Sequence, residues 1–234
     1  MRQAVRELGA SKIREVANAG IGRSDVLAFW FGEGDVVTPD FIRQAAVESL
    51  QRGETFYSHN LGLPELRQAV AEMLSEQHGS VTASRIAMTS GGVNALMVAV
   101  QAIVDPGSKV VCVEPVWPNL PAQAQILGAN LEMHALVVKD HAWTLDVEAL
   151  IQQLGKDTRL LIVNAPNNPT GWTLTRDEQA RLLSHCREHG IWILSDEVYG
   201  HLYYEPSVNG CAPSFLDLAQ ADDRLIVVGS FSKS

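Results

Sequence analysis

Positive charge is in short supply in this sequence. Lysine and arginine number 18 against 27 aspartates and glutamates, a formal net charge of −9 at pH 7. That balance argues against a surface built for a nucleic-acid phosphate backbone. Cysteine is scarce too, and Cys112, Cys186 and Cys211 lie far apart. Cys112 falls in an apolar, strand-like run and Cys186 in a helical one, so neither a disulfide framework nor a metal site is expected. No apolar run approaches the length that spans a bilayer, and Met1-Arg-Gln-Ala-Val-Arg-Glu7 has no apolar signal core. The expectation is a cytoplasmic protein with neither membrane nor nucleic acid as partner. What the chain does have is apolar mass: 46% of its 234 residues are hydrophobic. That suffices for a sizeable core, in one large α/β domain or one and a half ordinary ones.

The first 20 residues read as a polar helix and its exit, with Ser11 a candidate cap before Lys12. Val26 to Phe31 looks strand-like and meets the turn Gly32-Glu33-Gly34-Asp35. A helix is expected from about Pro39 to Arg52, then a polar loop, Thr55 to Gly62, containing Tyr57. Pro64 opens a second helix, where its missing N–H costs nothing. From Arg85 onward short apolar runs alternate with helical segments. The runs are Ile86–Met88, Val110–Val113, Leu131–Ala135, Leu160–Val163, Ile191–Leu194 and Leu225–Val228. The helices fall near Val93–Val104, Pro118–Leu127, Val147–Leu154 and Arg176–Glu188, the last opened by Thr175 and Glu178 as a capping box and ended by Gly190. This alternation predicts an α/β fold, a mostly parallel sheet with helices on both faces.

In such sheets ligands sit beyond the carboxyl ends of the strands. Those ends carry an unusual collection. Thr89-Ser-Gly-Gly-Val-Asn94 is a small-residue turn opening a helix, suited to a phosphate. Glu114-Pro-Val-Trp-Pro-Asn119 sets the indole of Trp117 beside the crevice. Asn164-Ala-Pro-Asn-Asn-Pro-Thr-Gly171 is a rigid loop with an amide to offer. Ser195-Asp-Glu-Val-Tyr199 puts an acid directly after an apolar run, costly unless a cation faces it. Ser230, Ser232 and Lys233 follow the last run, and a lysine there can be desolvated and made nucleophilic. A phosphorylated aromatic aldehyde with a ring nitrogen, pyridoxal phosphate, satisfies all of these groups.

The pieces Asn164-x-Pro-x-Asn168-Pro-Thr-Gly171, Ser195-Asp196-Glu197-x-x-Tyr199 and Ser230-Phe-Ser-Lys233, in this order and spacing, resemble the class I/II aminotransferases, fold-type I pyridoxal-phosphate enzymes. The resemblance implies that Lys233 forms the Schiff base and then shuttles a proton, and that Asp196 pairs with the ring nitrogen. It implies that Asn168 and Tyr199 bond the ring oxygen, that Trp117 stacks on the ring, and that Gly92, Val93 and Ser230 hold the phosphate. Tyr57 would reach the phosphate of a neighbouring subunit, hence a homodimer with shared sites. Gly32 would lie in the loop over the substrate, with Asn168 also facing it. The substrates would be an amino acid and a 2-oxo acid, in a ping-pong cycle. Residues 1–50 would form an N-terminal arm and small-domain segment, and 51–234 the cofactor-binding large domain.

The sequence also departs from that pattern. Gly34 stands where the family often has proline. Val93 occupies a place where some aspartate-preferring relatives carry lysine, which lowers the expectation of a dicarboxylate substrate. The family's later arginines for phosphate and substrate carboxylate have no counterpart in residues 1–234. A truncated fragment is therefore expected, binding cofactor weakly and transaminating little on its own. Two other readings share these residues: a fold-type I lyase or synthase, and an aminotransferase-like ligand-sensing domain of a regulator. The acidic charge and the missing winged-helix module weigh against the latter.

Overall fold

A computed structural model describes residues 1–205, 207 and 209–233. Along the chain the helices are α1 (Gln3–Arg6), α2 (Lys12–Gly20), α3 (Asp40–Gln51), α4 (Pro64–His78), α5 (Gly92–Ile103), α6 (Asn119–Leu127), α7 (Val147–Gln153) and α8 (Arg176–His189). The strands are β1 (Lys109–Glu114), β2 (Asn130–Ala135), β3 (Val137–Lys139), β4 (Ala142–Thr144), β5 (Thr158–Asn164), β6 (Trp192–Asp196) and β7 (Leu225–Val228). Five of them form one sheet in the order β2-β1-β5-β6-β7, and every neighbouring pair is parallel.

Side chains alternate across a strand, so each inner strand feeds two cores. Val111, Val113, Leu161, Val163 and Ile193 face one way and pack with Leu150 of α7, Leu182 and Leu183 of α8, and Phe215. Val110, Cys112, Leu160, Ile162 and Leu194 face the other way, against Leu96 and Val100 of α5 and Leu120 and Ala124 of α6. Burial on both sides explains why these strands read as unbroken apolar runs. On the first of these faces, caps mark where α7 starts and where α8 starts and stops. Asp146 accepts from Ala149 N at 2.9 Å to open α7. The Thr175–Glu178 capping box opens α8, and Gly190, left-handed at φ 67°, closes it.

Three expectations need correction, and one element is added. Ile86–Met88 does not join the sheet. Its backbone groups are taken up instead by Arg67, whose Nε donates to Ile86 O at 2.8 Å, and by Leu61, whose carbonyl accepts from Met88 N at 2.9 Å. Val26–Phe31 is no strand either: Leu27 and Phe29 are exposed and no described strand lies alongside. The first 20 residues make two helices rather than one, the second capped by Ser11, which accepts from Arg14 N. Finally, an unforeseen antiparallel hairpin, β3 with β4, turns through Asp140 and His141 at φ 50° and 65°. Two consecutive left-handed residues are what a tight hairpin requires, but Asp-His is a weak sequence signal for it.

Candidate active site

The carboxyl ends of β1, β5, β6 and β7 lie along one edge of the sheet. Asn164 ends β5 and is in register with Asp196 at the end of β6, which is in register with Val228 of β7. Asn164 is nearly fully buried and ties two loops together. Its Nδ2 donates to Asp196 O at 3.0 Å, and its Oδ1 accepts from Asn168 N at 2.8 Å. The loop after β5 is thereby clamped onto the end of β6. Nothing local in the sequence signals this bracing role, although Asn164 opens the proline-rich loop that carries Asn168.

Asp196 is 3% exposed. Its carboxylate accepts one backbone bond, from Val198 N at 3.3 Å, and no cationic side chain among the described residues pairs with it. Burial therefore pushes it up to about 6, with the Val198 bond offsetting only part of the cost. Glu197 turns the other way and accepts from Ser195 Oγ at 2.8 Å and Phe215 N at 3.4 Å. Burial pushes it up to about 7.

Tyr199 lies one turn beyond Asp196. Its hydroxyl accepts from Asn168 Nδ2 at 3.2 Å, which leaves the phenolic proton available to another acceptor. Gly32 packs so close to it that a Cβ there would stand 3.3 Å from the Tyr199 oxygen. Lys233 completes this group. Its Nζ donates to Gly32 O at 2.6 Å and sits 5.9 Å from the centre of the Tyr199 ring.

A second group gathers around the start of α5. A Cβ on Gly92 would lie 3.7 Å from Ser230 Cβ and 3.8 Å from Val198 Cγ1, so this turn abuts the loops after β6 and β7. No side chain caps α5 at its start, leaving its first amides free for an anion. Ser230 Oγ donates to Ser232 Oγ at 2.8 Å. Val93 is about half exposed, and its carbonyl accepts from Gln123 Nε2. Trp117 stands half-buried in the turn after β1, its carbonyl accepting from Leu120 N at 3.1 Å. Tyr57 lies apart from all of these, fully exposed.

Comparison with known proteins agrees with this arrangement. The family model for aminotransferase class I and II matches residues 27–234. A probable aspartate/prephenate aminotransferase of Aquifex aeolicus is 32% identical over 96% of this chain and 56% of its own length. The aspartate/prephenate aminotransferase of Thermus thermophilus is 34% identical over 83% of this chain and 50% of its own. Among solved structures, a Thermus thermophilus aspartate aminotransferase mutant superposes with a TM-score of 0.88 at 30% identity, covering all of this chain and 60% of its own. A Pyrococcus structure gives 0.89 at 31%, covering 98% of this chain and 59% of its own. The chain thus spans little more than half the length of these relatives, and over that span it belongs to the class I and II aminotransferase family.

Proposed function

We propose that this chain carries the cofactor-binding part of an aminotransferase that moves an amino group between an amino acid and a 2-oxo acid with pyridoxal phosphate. The observation that carries this reading is the buried Asp196 carboxylate at the end of β6, without a cationic partner among the described residues, on the same sheet edge as the Asn168–Tyr199 pair and the Lys233 amine. A buried acid without a cation is a standing electrostatic cost. A protonated pyridine nitrogen would remove that cost, so the donor set fits this cofactor better than it fits a neutral ligand.

When bound, the cofactor supplies an electron sink for the charge left by breaking a bond at the amino acid's Cα. The chain's own residues would do the rest. Asp196, ionised by its cationic neighbour, would keep the ring nitrogen protonated. Tyr199, its hydroxyl oriented by Asn168 Nδ2, would donate to the ring oxygen. The free amides opening α5, with Ser230, would hold the phosphate. Trp117 would cover one ring face. Lys233 would hold the cofactor covalently through Nζ and would be the base that carries the proton at the substrate's Cα. Gly32, whose carbonyl now receives the lysine ammonium, would lie over the substrate.

Residues 51–234 make up the cofactor-binding part in this reading, and 1–50 an arm with a small-domain segment. Tyr57 contributes to a second subunit of a homodimer, which its lack of packing against its own chain supports. Several relatives act on aspartate by name. The half-exposed apolar Val93 at the start of α5 favours a less polar side chain for this protein. Borohydride reduction of the intact protein with pyridoxal phosphate, followed by peptide mapping, tests the assignment. A stable adduct on Lys233, absent from Lys233→Ala, is expected. A reduced adduct on another lysine would overturn it.

A further inference from the structure

At the end of α4, Cys211 and Asp217 meet His78, which lies more than 130 positions earlier in the chain. His78, the last residue of that helix, places Nδ1 2.8 Å from Asp217 Oδ1. Its other nitrogen, Nε2, lies 3.8 Å from Cys211 Sγ. Asp217 is fixed in turn because its second oxygen accepts from Ser214 N at 3.2 Å. A carboxylate on Nδ1 assigns the proton to that nitrogen and leaves Nε2 as an acceptor aimed at the thiol. Acid, imidazole and thiol are therefore in line, the arrangement that activates a cysteine. A histidine–aspartate pair alone would serve to pin the helix end, but that role needs no thiol on Nε2.

The other two cysteines form a built-in contrast. Cys112 and Cys186 are 0% and 2% exposed within the two cores, and burial pushes both thiols up to about 12. Cys211 is covered too, at 6%, yet it directly follows exposed Asn209 and Gly210, and Asn209 Nδ2 donates to Gln77 O across the end of α4. Its thiol is raised by burial and by the nearby Asp217 and Glu197 charges. It therefore rests protonated and depends on a base to react, which is what His78 provides.

We infer that Cys211, with His78 as its base and Asp217 holding the imidazole, is a thiol–disulfide exchange site for small, uncharged disulfides. In the exchange Sγ attacks one sulfur of the disulfide while its proton passes to His78 Nε2. The Cys211 S–S bond forms as the reagent's S–S bond breaks, and the departing thiolate takes the proton back from the imidazole. The products are one mixed disulfide and one thiol, with no further oxidant. An uncharged reagent suits the site, because Asp217 and Glu197 would repel an anion.

The test is exchange with dithiodipyridine on the intact, folded protein, followed by thiopyridone absorbance and peptide mapping. Expected are one equivalent released, the label on Cys211, and none from Cys211→Ser. His78→Gln should slow the exchange by about tenfold or more, since it removes the base. Asp217→Asn, which keeps the side chain's shape and guards against loss of fold in the first variant, should slow it by a smaller factor. Circular dichroism and the melting temperature establish that each variant is folded. The inference fails if Cys112 or Cys186 reacts first, if no thiol reacts before unfolding, or if Cys211 reacts equally fast in a folded variant of His78 or Asp217.

Discussion

Replacing Asp196 by asparagine should make the cofactor-free protein more stable at neutral pH while impairing cofactor binding. Burial raises this carboxyl from 3.8 to about 6 in the folded chain. As pH climbs from about 4 to 6, the unfolded chain gives up this proton while the folded one retains it. Stability therefore falls through that window and stays lower above it. A gap of about 2 in pKa corresponds to roughly 3 kcal/mol. Asparagine has no such titration, but its amide leaves an N–H needing an acceptor, at about 1–2 kcal/mol. The net gain at pH 7 is thus about 1–2 kcal/mol, on the order of half a molar in the urea midpoint. Urea unfolding of both proteins at pH 4 and pH 7 measures it, and Glu197, titrating in a similar range, cancels in the difference. A variant that is no more stable at pH 7, or whose advantage is equally large at pH 4, would refute the idea that Asp196 is held at a desolvation cost. Such a cost is typical of a group kept for function against stability.

Other perturbations probe the frame and the edge. Thr175→Ala removes the hydroxyl that accepts from Glu178 N at the start of α8, leaving the bond from Thr175 N to the Glu178 carboxylate, and should cost about 1 kcal/mol in denaturant unfolding. Gly190→Ala forces a Cβ at φ 67° to within 2.9 Å of Arg224 Nη1, so a loss of about 1–2 kcal/mol is expected; a stabilised variant would contradict the left-handed cap. Leu161→Ala, at a site 0% exposed in the middle of the sheet, should cost about 2–5 kcal/mol. Asn168→Ala removes the donor that orients the Tyr199 hydroxyl, and should shift the visible absorbance of the bound cofactor without comparable loss of fold.

Local order was largely legible in the sequence. Helices α3 to α8 lie where periodicity, Pro39 and Pro64, and the caps of α7 and α8 put them, because those signals lie within or beside each helix. The inner strands β1, β5 and β6 announced themselves as apolar runs because both faces are buried, while the edge strands β2 and β7 are only partly covered. Ile86–Met88 and Val26–Phe31 carry similar runs and failed as strands, since a strand exists only where another offers it a hydrogen-bonded edge. The motif residues were legible one by one. The clamp Asn164 makes between Asn168 and Asp196, and the bond from Lys233 to Gly32, were not.

By itself, then, the sequence determined the inventory of elements and the chemical character of each strand's carboxyl end, because both depend on neighbours along the chain. Tertiary structure alone decided the strand order β2-β1-β5-β6-β7, the burial of Asp196, and the meeting of His78 with Cys211 and Asp217. Those outcomes depend on contacts between residues tens to hundreds of positions apart. Their energies arise only once the sheet has closed and water has been expelled from between its layers.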